Sequence, residues 1–358
     1  MQKIVVLSLV IGLSSCYSLK QHVVASMLGY KKSESKHLMQ TPEPGVELNY
    51  GAAVFLDVVT ELQKDTVNPE LLDRLKKLKG KGDKYDKRAG GEVIDTSLVD
   101  CKAIIVYPKG QSRSQALKKS LPVIYFLHGG GFSQGDLKIY KNQIKLLAKV
   151  SGCIVVAVEY PKAPLSPYPS AVNTVYQGLL WIEQHIGEFG GDNQQIFIGG
   201  DSAGGNLATV TCLQTRDLNG PKIKGQILYY PVTTFKTVAY ASMEYYTGHL
   251  GKSFLLDESK LLTIRDNYVP DSTQWDQPYA SPLLADLADL PPALIITAQC
   301  DPLRDQGEVY AAKLHYEGVE VVYYEAPGMV HGFVFLKPVF KEAAHSMKLT
   351  KKFVKDHL

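Results

Sequence analysis

The sequence predicts an α/β fold: a mostly parallel central sheet with helices on both faces and a helical cap. Three observations predict it. Apolar runs of strand length recur at 103–106, 123–127, 154–158, 196–198, 227–230, 293–297 and 319–324. Helical patterns at 142–150, 171–186, 206–217 and 306–316 separate most of them. The runs are continuously apolar rather than alternating, as in parallel strands buried on both faces. In such a sheet the loops at the carboxyl ends of the strands carry the chemistry, and the residues capable of chemistry fall in those loops.

The first sixteen residues differ from the rest of the chain. Met1-Gln2-Lys3 precedes an apolar stretch over 4–13, which ends in Leu13-Ser14-Ser15-Cys16. This is the pattern of a secretory signal. The small residues before Cys16 resemble a bacterial lipobox, in which that cysteine becomes the lipidated first residue of an exported, membrane-tethered lipoprotein. The alternatives are plain secretion to the periplasm or medium, or a buried first helix. An apolar stretch this short is a poor permanent span, so acyl chains would form the anchor. Residues 17–90 fit no strand-helix alternation and are expected to form an N-terminal cap segment ahead of a domain over 91–358. The lysine-rich run over 74–88 reads as a solvated face, with contact to anionic lipid headgroups as the sharper alternative.

After the run 123–127 comes His128-Gly129-Gly130-Gly131-Phe132. Three consecutive glycines let the backbone turn its amides toward a ligand with no side chain intervening. A flexible hinge is the competing reading. The oxyanion of an acyl-transfer intermediate requires such preorganised N–H donors. The amides of this glycine run are the candidates, with the N–H of Ala203 as a further donor; His128 and Gly129 are expected to hold the loop's shape.

The short run 196–198 breaks into Gly200-Asp201-Ser202-Ala203-Gly204-Gly205 and continues as a helix. A serine on a tight strand-to-helix turn is forced into a strained conformation that presents its hydroxyl clear of both elements. Gly200 and Gly204 lack the Cβ atoms that would collide as strand and helix fold back on each other. Ser202 is therefore the candidate nucleophile, the alternative being an incidental serine in a glycine-rich turn.

A serine hydroxyl needs a base within hydrogen-bond reach, and the base needs a partner that holds its tautomer. Of nine histidines, His331 follows the run 319–324 in Pro327-Gly328-Met329-Val330-His331-Gly332-Phe333 and is the best-placed base. His22, His37, His185, His315, His345 and His357 fall in helical or terminal contexts, and His249 in an irregular insertion. For the acid, Asp301 follows the run 293–297 closely; Asp305, past Pro302, is the rival, with a competing role as a helix N-terminal carboxylate. The residues over 233–280 look like a second cap insertion. Phe235, Tyr240, Tyr245, Tyr246, Phe254 and Tyr268 there suit an acyl pocket and, more often, ordinary packing.

Together these motifs resemble the hormone-sensitive-lipase-like branch of the α/β-hydrolases, which includes bacterial carboxylesterases and arylacetamide deacetylase. His128-Gly129-Gly130-Gly131 is similar to its oxyanion loop, Gly200 to Gly205 to its extended elbow, Asp301 to Asp305 to its acid segment, and His331-Gly332-Phe333 to its histidine turn. The stretch from Tyr160 to Pro169, with Ala163-Pro164, resembles a further loop of the branch. Pro161 stands where arginine would be expected, and Leu165-Ser166 replaces a more polar pair. The chain order Ser202, Asp301, His331 is that of the α/β-hydrolases. The resemblance covers roughly 100–350 and implies that the amides of Gly130, Gly131 and Ala203 form the oxyanion hole. It implies a cofactor-free serine esterase or lipase acting on small-molecule esters of short to medium acyl length. The same parts would serve an amide deacetylase, a lactonase or an acyltransferase, and the scaffold would also serve a non-catalytic small-molecule-binding protein.

Charge and cysteine content bound the remaining classes. With Lys+Arg 39 against Asp+Glu 36, the net charge of +3 is too small to argue for a nucleic-acid partner. Hydrophobic residues at 45% and charged ones at 21% suit a soluble chain with a sizeable core. Cys101, Cys153, Cys212 and Cys300 are scattered without metal-ligand spacing, so no metal site is expected; Cys153 and Cys300 read as buried thiols.

Overall fold

The computed structural model describes residues 36–63, 69–71, 73–74, 91–236, 240–247, 255–336 and 340–358. Cys16, His22, His249, Phe254 and nearly all of the lysine-rich run lie outside them.

Eight strands form one sheet. In chain order they are β1 (Val93–Leu98), β2 (Cys101–Val106), β3 (Leu121–Leu127), β4 (Ile154–Val158), β5 (Gly191–Asp201), β6 (Gly225–Tyr229), β7 (Ala293–Cys300) and β8 (Val321–Val330). Their spatial order is β1-β2-β4-β3-β5-β6-β7-β8. The β1–β2 and β2–β4 pairs are antiparallel, and every pair from β4 through β8 is parallel. All seven apolar runs form strands. The expected strand at 319–324 begins later: Val319 closes the preceding helix by donating to the Leu314 carbonyl, and the strand runs on to Val330.

The strand that the sequence does not announce is β1. It lies at the sheet edge and reads Val-Ile-Asp-Thr-Ser-Leu with only Leu98 buried. A strand pairing on one side and half solvated has no continuous apolar signature.

The main helices are α1 (Tyr50–Gln63), α2 (Leu137–Ser151), α3 (Ser170–His185), α4 (Ala203–Asp217), α5 (Ala241–Tyr246), α6 (Glu258–Tyr268), α7 (Arg304–Tyr316) and α8 (Lys341–Asp356). Local chemistry sets their limits. The Asp136 carboxylate accepts from the Ile139 N–H to start α2, and Gly152 stops it in the left-handed region at φ 79°. Helix α6 starts the same way, Asp257 accepting from Lys260 N–H.

Two apolar cores lie on the two faces of the sheet. One packs α3, α4 and α7 with residues of the 232–290 region. The other packs α2 and α8 and also takes in Leu48, Tyr50, Val54, Phe55, Leu56, Val58 and Val59. Helix α1 thus belongs to the second core, with the Phe55 and Phe340 rings edge to face at 6.1 Å. Among the described residues Cys101, Cys153, Cys212 and Cys300 are free thiols, the last three buried, and no group of His, Cys, Asp and Glu is arranged to hold a metal ion.

Candidate active site

Strand β5 passes directly into α4 at Ser202, whose backbone sits at φ 56°, ψ −119°. A non-glycine residue rarely adopts positive φ, so surrounding contacts must hold it. The Ser202 N–H donates to the Tyr229 carbonyl at 2.9 Å, and the Ser202 carbonyl accepts from Asn206 at 3.2 Å and Val232 at 3.3 Å. A Cβ on Gly204 would collide with the Leu127 carbonyl oxygen, and one on Gly200 with the Gly204 carbonyl. The close approach expected of these two glycines is therefore physical: helix, strand and oxyanion loop meet there backbone to backbone.

His331 follows β8 directly, and Asp301 follows β7. The His331 Nδ1 lies 2.7 Å from Asp301 Oδ2, with Asp301 fully buried and the imidazole nearly so. A buried carboxylate in this position fixes the tautomer with hydrogen on Nδ1 and leaves Nε2 as the basic nitrogen. Asp305, the rival acid, faces elsewhere. Its carboxylate accepts from Arg304 Nε at 2.8 Å and from the Ser242 N–H at 2.8 Å.

The Tyr229–Tyr230 step links serine to histidine. Tyr229 holds the Ser202 N–H, and the Tyr230 ring packs on the His331 imidazole at 4.7 Å. Ser202, Asp301 and His331 therefore share the carboxyl edge of β5 to β8. Among the described residues the Ser202 hydroxyl has no hydrogen-bond partner; in unliganded sites the nucleophile–base bond commonly closes only on substrate.

The oxyanion loop leaves β3 with Gly130 at φ 122°, Gly131 at φ 58° and Phe132 at φ 57°. The Gly130 carbonyl is turned back to accept from Gln134 at 2.8 Å and Ser133 at 3.2 Å. Among the described residues none of the Gly130, Gly131 and Ala203 amides donates to the protein backbone outside regular elements, and Ala203, as the first residue of α4, has no intrahelical acceptor.

His128 is buried, with Nδ1 2.8 Å from the Gly129 carbonyl and its ring stacked on Tyr160 at 4.4 Å. The Tyr160 hydroxyl donates to the His128 carbonyl at 2.7 Å. Burial pushes the imidazole down to about 4, which favours its neutral form, and these contacts tie the ring to the loop and to Tyr160.

Asp201 has a part in the site beyond its place in the elbow motif. Immediately before the nucleophile, it accepts from the Gly129 N–H at 2.9 Å and from the Tyr140 hydroxyl at 2.9 Å. Its buried carboxylate ties the elbow to the oxyanion loop and to α2. Burial pushes it up to about 6, against the two donors that hold it down. The signal in the sequence is an acid at the end of an apolar strand, since a buried carboxylate requires partners.

The remaining expected aromatics divide. Tyr268 and Phe235 pack against Phe132 of the oxyanion loop. Tyr246 instead donates to Glu43 at 2.6 Å. His185, His315 and His345 lie on helices and His357 just after α8.

A family model described as alpha/beta hydrolase fold matches residues 124–335. The carboxylesterase NlhH of Mycobacterium tuberculosis is 37% identical over 235 residues, covering 64% of this chain and 72% of its own. An ethyl acetate hydrolase of Pseudomonas putida is 32% identical over 239 residues, covering 66% and 73%. Among solved structures, a hyperthermophilic esterase of Pyrobaculum calidifontis superposes with a TM-score of 0.71 at 33% identity, covering 76% of this chain and 88% of its own.

Proposed function

This chain belongs to the alpha/beta hydrolase fold family, and we propose that within it the chain is a serine carboxylic ester hydrolase with Ser202 as nucleophile. The relatives named carboxylesterase and ethyl acetate hydrolase support the reaction class and a small-molecule ester as substrate. The observation that carries the site assignment is the buried 2.7 Å contact between His331 and Asp301 on the sheet edge that also holds the strained Ser202.

The reaction follows from these positions. His331 Nε2 takes the Ser202 proton as the serine oxygen attacks the ester carbonyl. The oxyanion is received by the amides of Gly130, Gly131 and Ala203, each such donor typically contributing about 10²–10³ in rate. Collapse of the tetrahedral intermediate breaks the ester bond, and His331 returns the proton to the departing alcohol. Water, deprotonated by the same nitrogen, then hydrolyses the acyl-serine and releases the acid. Asp301 stabilises the imidazolium in both halves. Short and medium acyl chains are the proposed substrates.

Ser202→Ala should lower kcat on p-nitrophenyl butyrate by about 10⁴ or more with little change in thermal stability. Turnover undiminished in that variant would overturn the assignment. We also propose export and tethering through Cys16, supported by the charged start, apolar stretch and small residues before it. Cys16→Ser should move the protein from the membrane to the soluble fraction, and unchanged fractionation would remove the tether.

A further inference from the structure

Helix α6 lies directly over the oxyanion loop. Its last residue, Tyr268, stacks on Phe132 with ring centroids 3.7 Å apart and planes 7° apart, and its carbonyl accepts from the Tyr168 N–H at 2.7 Å. Phe235 packs against both rings, at 5.7 and 5.6 Å. These contacts anchor the carboxyl end of α6 to the residue that follows Gly131.

One turn back, at the i−4 position on the same helix face, stands Ile264, half-buried. A Cβ on Gly131 would come within 2.9 Å of Ile264 Cδ1 and Cγ1 and 3.5 Å of its Cγ2. Adjacent residues of α6's inner face thus cover adjacent residues of the loop, Tyr268 on Phe132 and Ile264 on Gly131. We propose that Ile264 is a specificity-determining residue, whose side chain limits how much bulk an ester may carry beside its reacting carbonyl.

The inference rests on the esterase function proposed for Ser202, in which the Gly131 amide receives the oxyanion. A carbonyl oxygen so held lies about 3 Å from the Gly131 nitrogen, which brings branching at the acyl α-carbon, or at the alcohol carbon bonded to the ester oxygen, within reach of the Ile264 methyls. The aromatic anchor at Tyr268 keeps the helix from retreating, so the limit is set by the isoleucine itself. A hydrophobic pocket discriminates by roughly 10–200-fold against one extra or missing substrate methylene, and removing a single wall methyl recovers only part of that.

The test is a ratio. kcat/KM is measured for p-nitrophenyl isobutyrate against p-nitrophenyl acetate, and for isopropyl acetate against ethyl acetate, in wild type, Ile264→Val and Ile264→Ala. Valine removes only the Cδ1 methyl and leaves the helix otherwise intact. Leu262→Ala, on the exposed side of α6, is the control and should leave both ratios unchanged. At least one ratio should rise about threefold with valine and about tenfold with alanine. A rise in the first pair assigns Ile264 to the acyl side, and one in the second to the alcohol side. Both ratios within twofold of wild type in both variants would overturn the proposal while leaving the esterase reading intact. That reading fails separately, on Ser202→Ala.

Discussion

Asp201 joins two parts of the site that chain separation keeps far apart: the Gly129 N–H and the elbow that presents Ser202. Ionised, it makes two short bonds to Gly129 and Tyr140; it is also a buried charge without a cationic partner among those contacts. Its native value of about 6 exceeds the ordinary 3.8, so between these values the native state holds more protons than the unfolded chain. Stability contributed by this group therefore falls as pH rises from about 4 to 6, and stays lower above that. A difference of this size corresponds to about 3 kcal/mol. The asparagine of an Asp201→Asn variant would mimic the protonated acid and keep the acceptor for Gly129. The variant should gain on wild type by up to that amount between pH 4 and pH 8 in denaturant titrations. Its kcat at pH 8 should fall roughly tenfold, because a neutral acceptor holds Gly129 less firmly than a charged one. A stability difference independent of pH would refute this account of the carboxylate.

At the scale of elements, the carboxyl ends of β7 and β8 and the start of α7 are held from the N-terminal side. Glu43 accepts from Arg304 at 2.7 Å and from the Tyr246 hydroxyl at 2.6 Å. Arg304 lies three residues past Asp301 and donates to the Gln299 carbonyl at 3.1 Å, while the Asn49 N–H donates to the Gly328 carbonyl at 2.9 Å. The Arg304 and Glu43 side chains are only 10% and 19% exposed, so Glu43→Gln leaves a largely desolvated guanidinium with Asp305 at 2.8 Å and Glu325 at 3.9 Å as its remaining carboxylates. It should cost about 1–3 kcal/mol, seen as a melting-temperature loss of a few degrees. No change in melting temperature would mean that this pair is solvated in solution. Such ties are invisible in sequence, because Glu43 and Arg304 meet only after the sheet has formed. What was legible were features with a local cause. The strands β3, β4 and β7 are buried on both faces and read as apolar runs. The elbow needs glycines at Gly200 and Gly204, and the His331 and Asp301 turns follow their strands closely. Strand β1 and the bonds of Asp201 were not legible, the first for its polar outer face and the second because its partners come from the loop after β3 and from α2.

For the whole molecule, the question is where the folding unit begins. A boundary at residue 91 matches the start of the strand-helix alternation, and it would leave α1 in a separate cap. Yet Leu48, Tyr50, Val54, Phe55, Leu56, Val58 and Val59 are buried in the same core as Phe126, Ile296, Phe333 and Phe353. Fully burying each large apolar side chain contributes about 1.5–3 kcal/mol, and compact denatured states reduce that by roughly 10–40%. Even so reduced, the seven together match or exceed much of the total stability of an ordinary domain, about 5–15 kcal/mol. Deleting them also uncovers their partners on the sheet side. A chain beginning at residue 91 should therefore be insoluble or lack a cooperative thermal transition, whereas one beginning at residue 36 should melt cooperatively and retain esterase turnover. The comparison separates two roles for α1. A cap that merely roofs the substrate would be lost with changed KM and an intact fold; a layer of the core takes the fold with it. A soluble, cooperatively melting protein starting at residue 91 would show that the alternating region stands alone and that α1 only covers it.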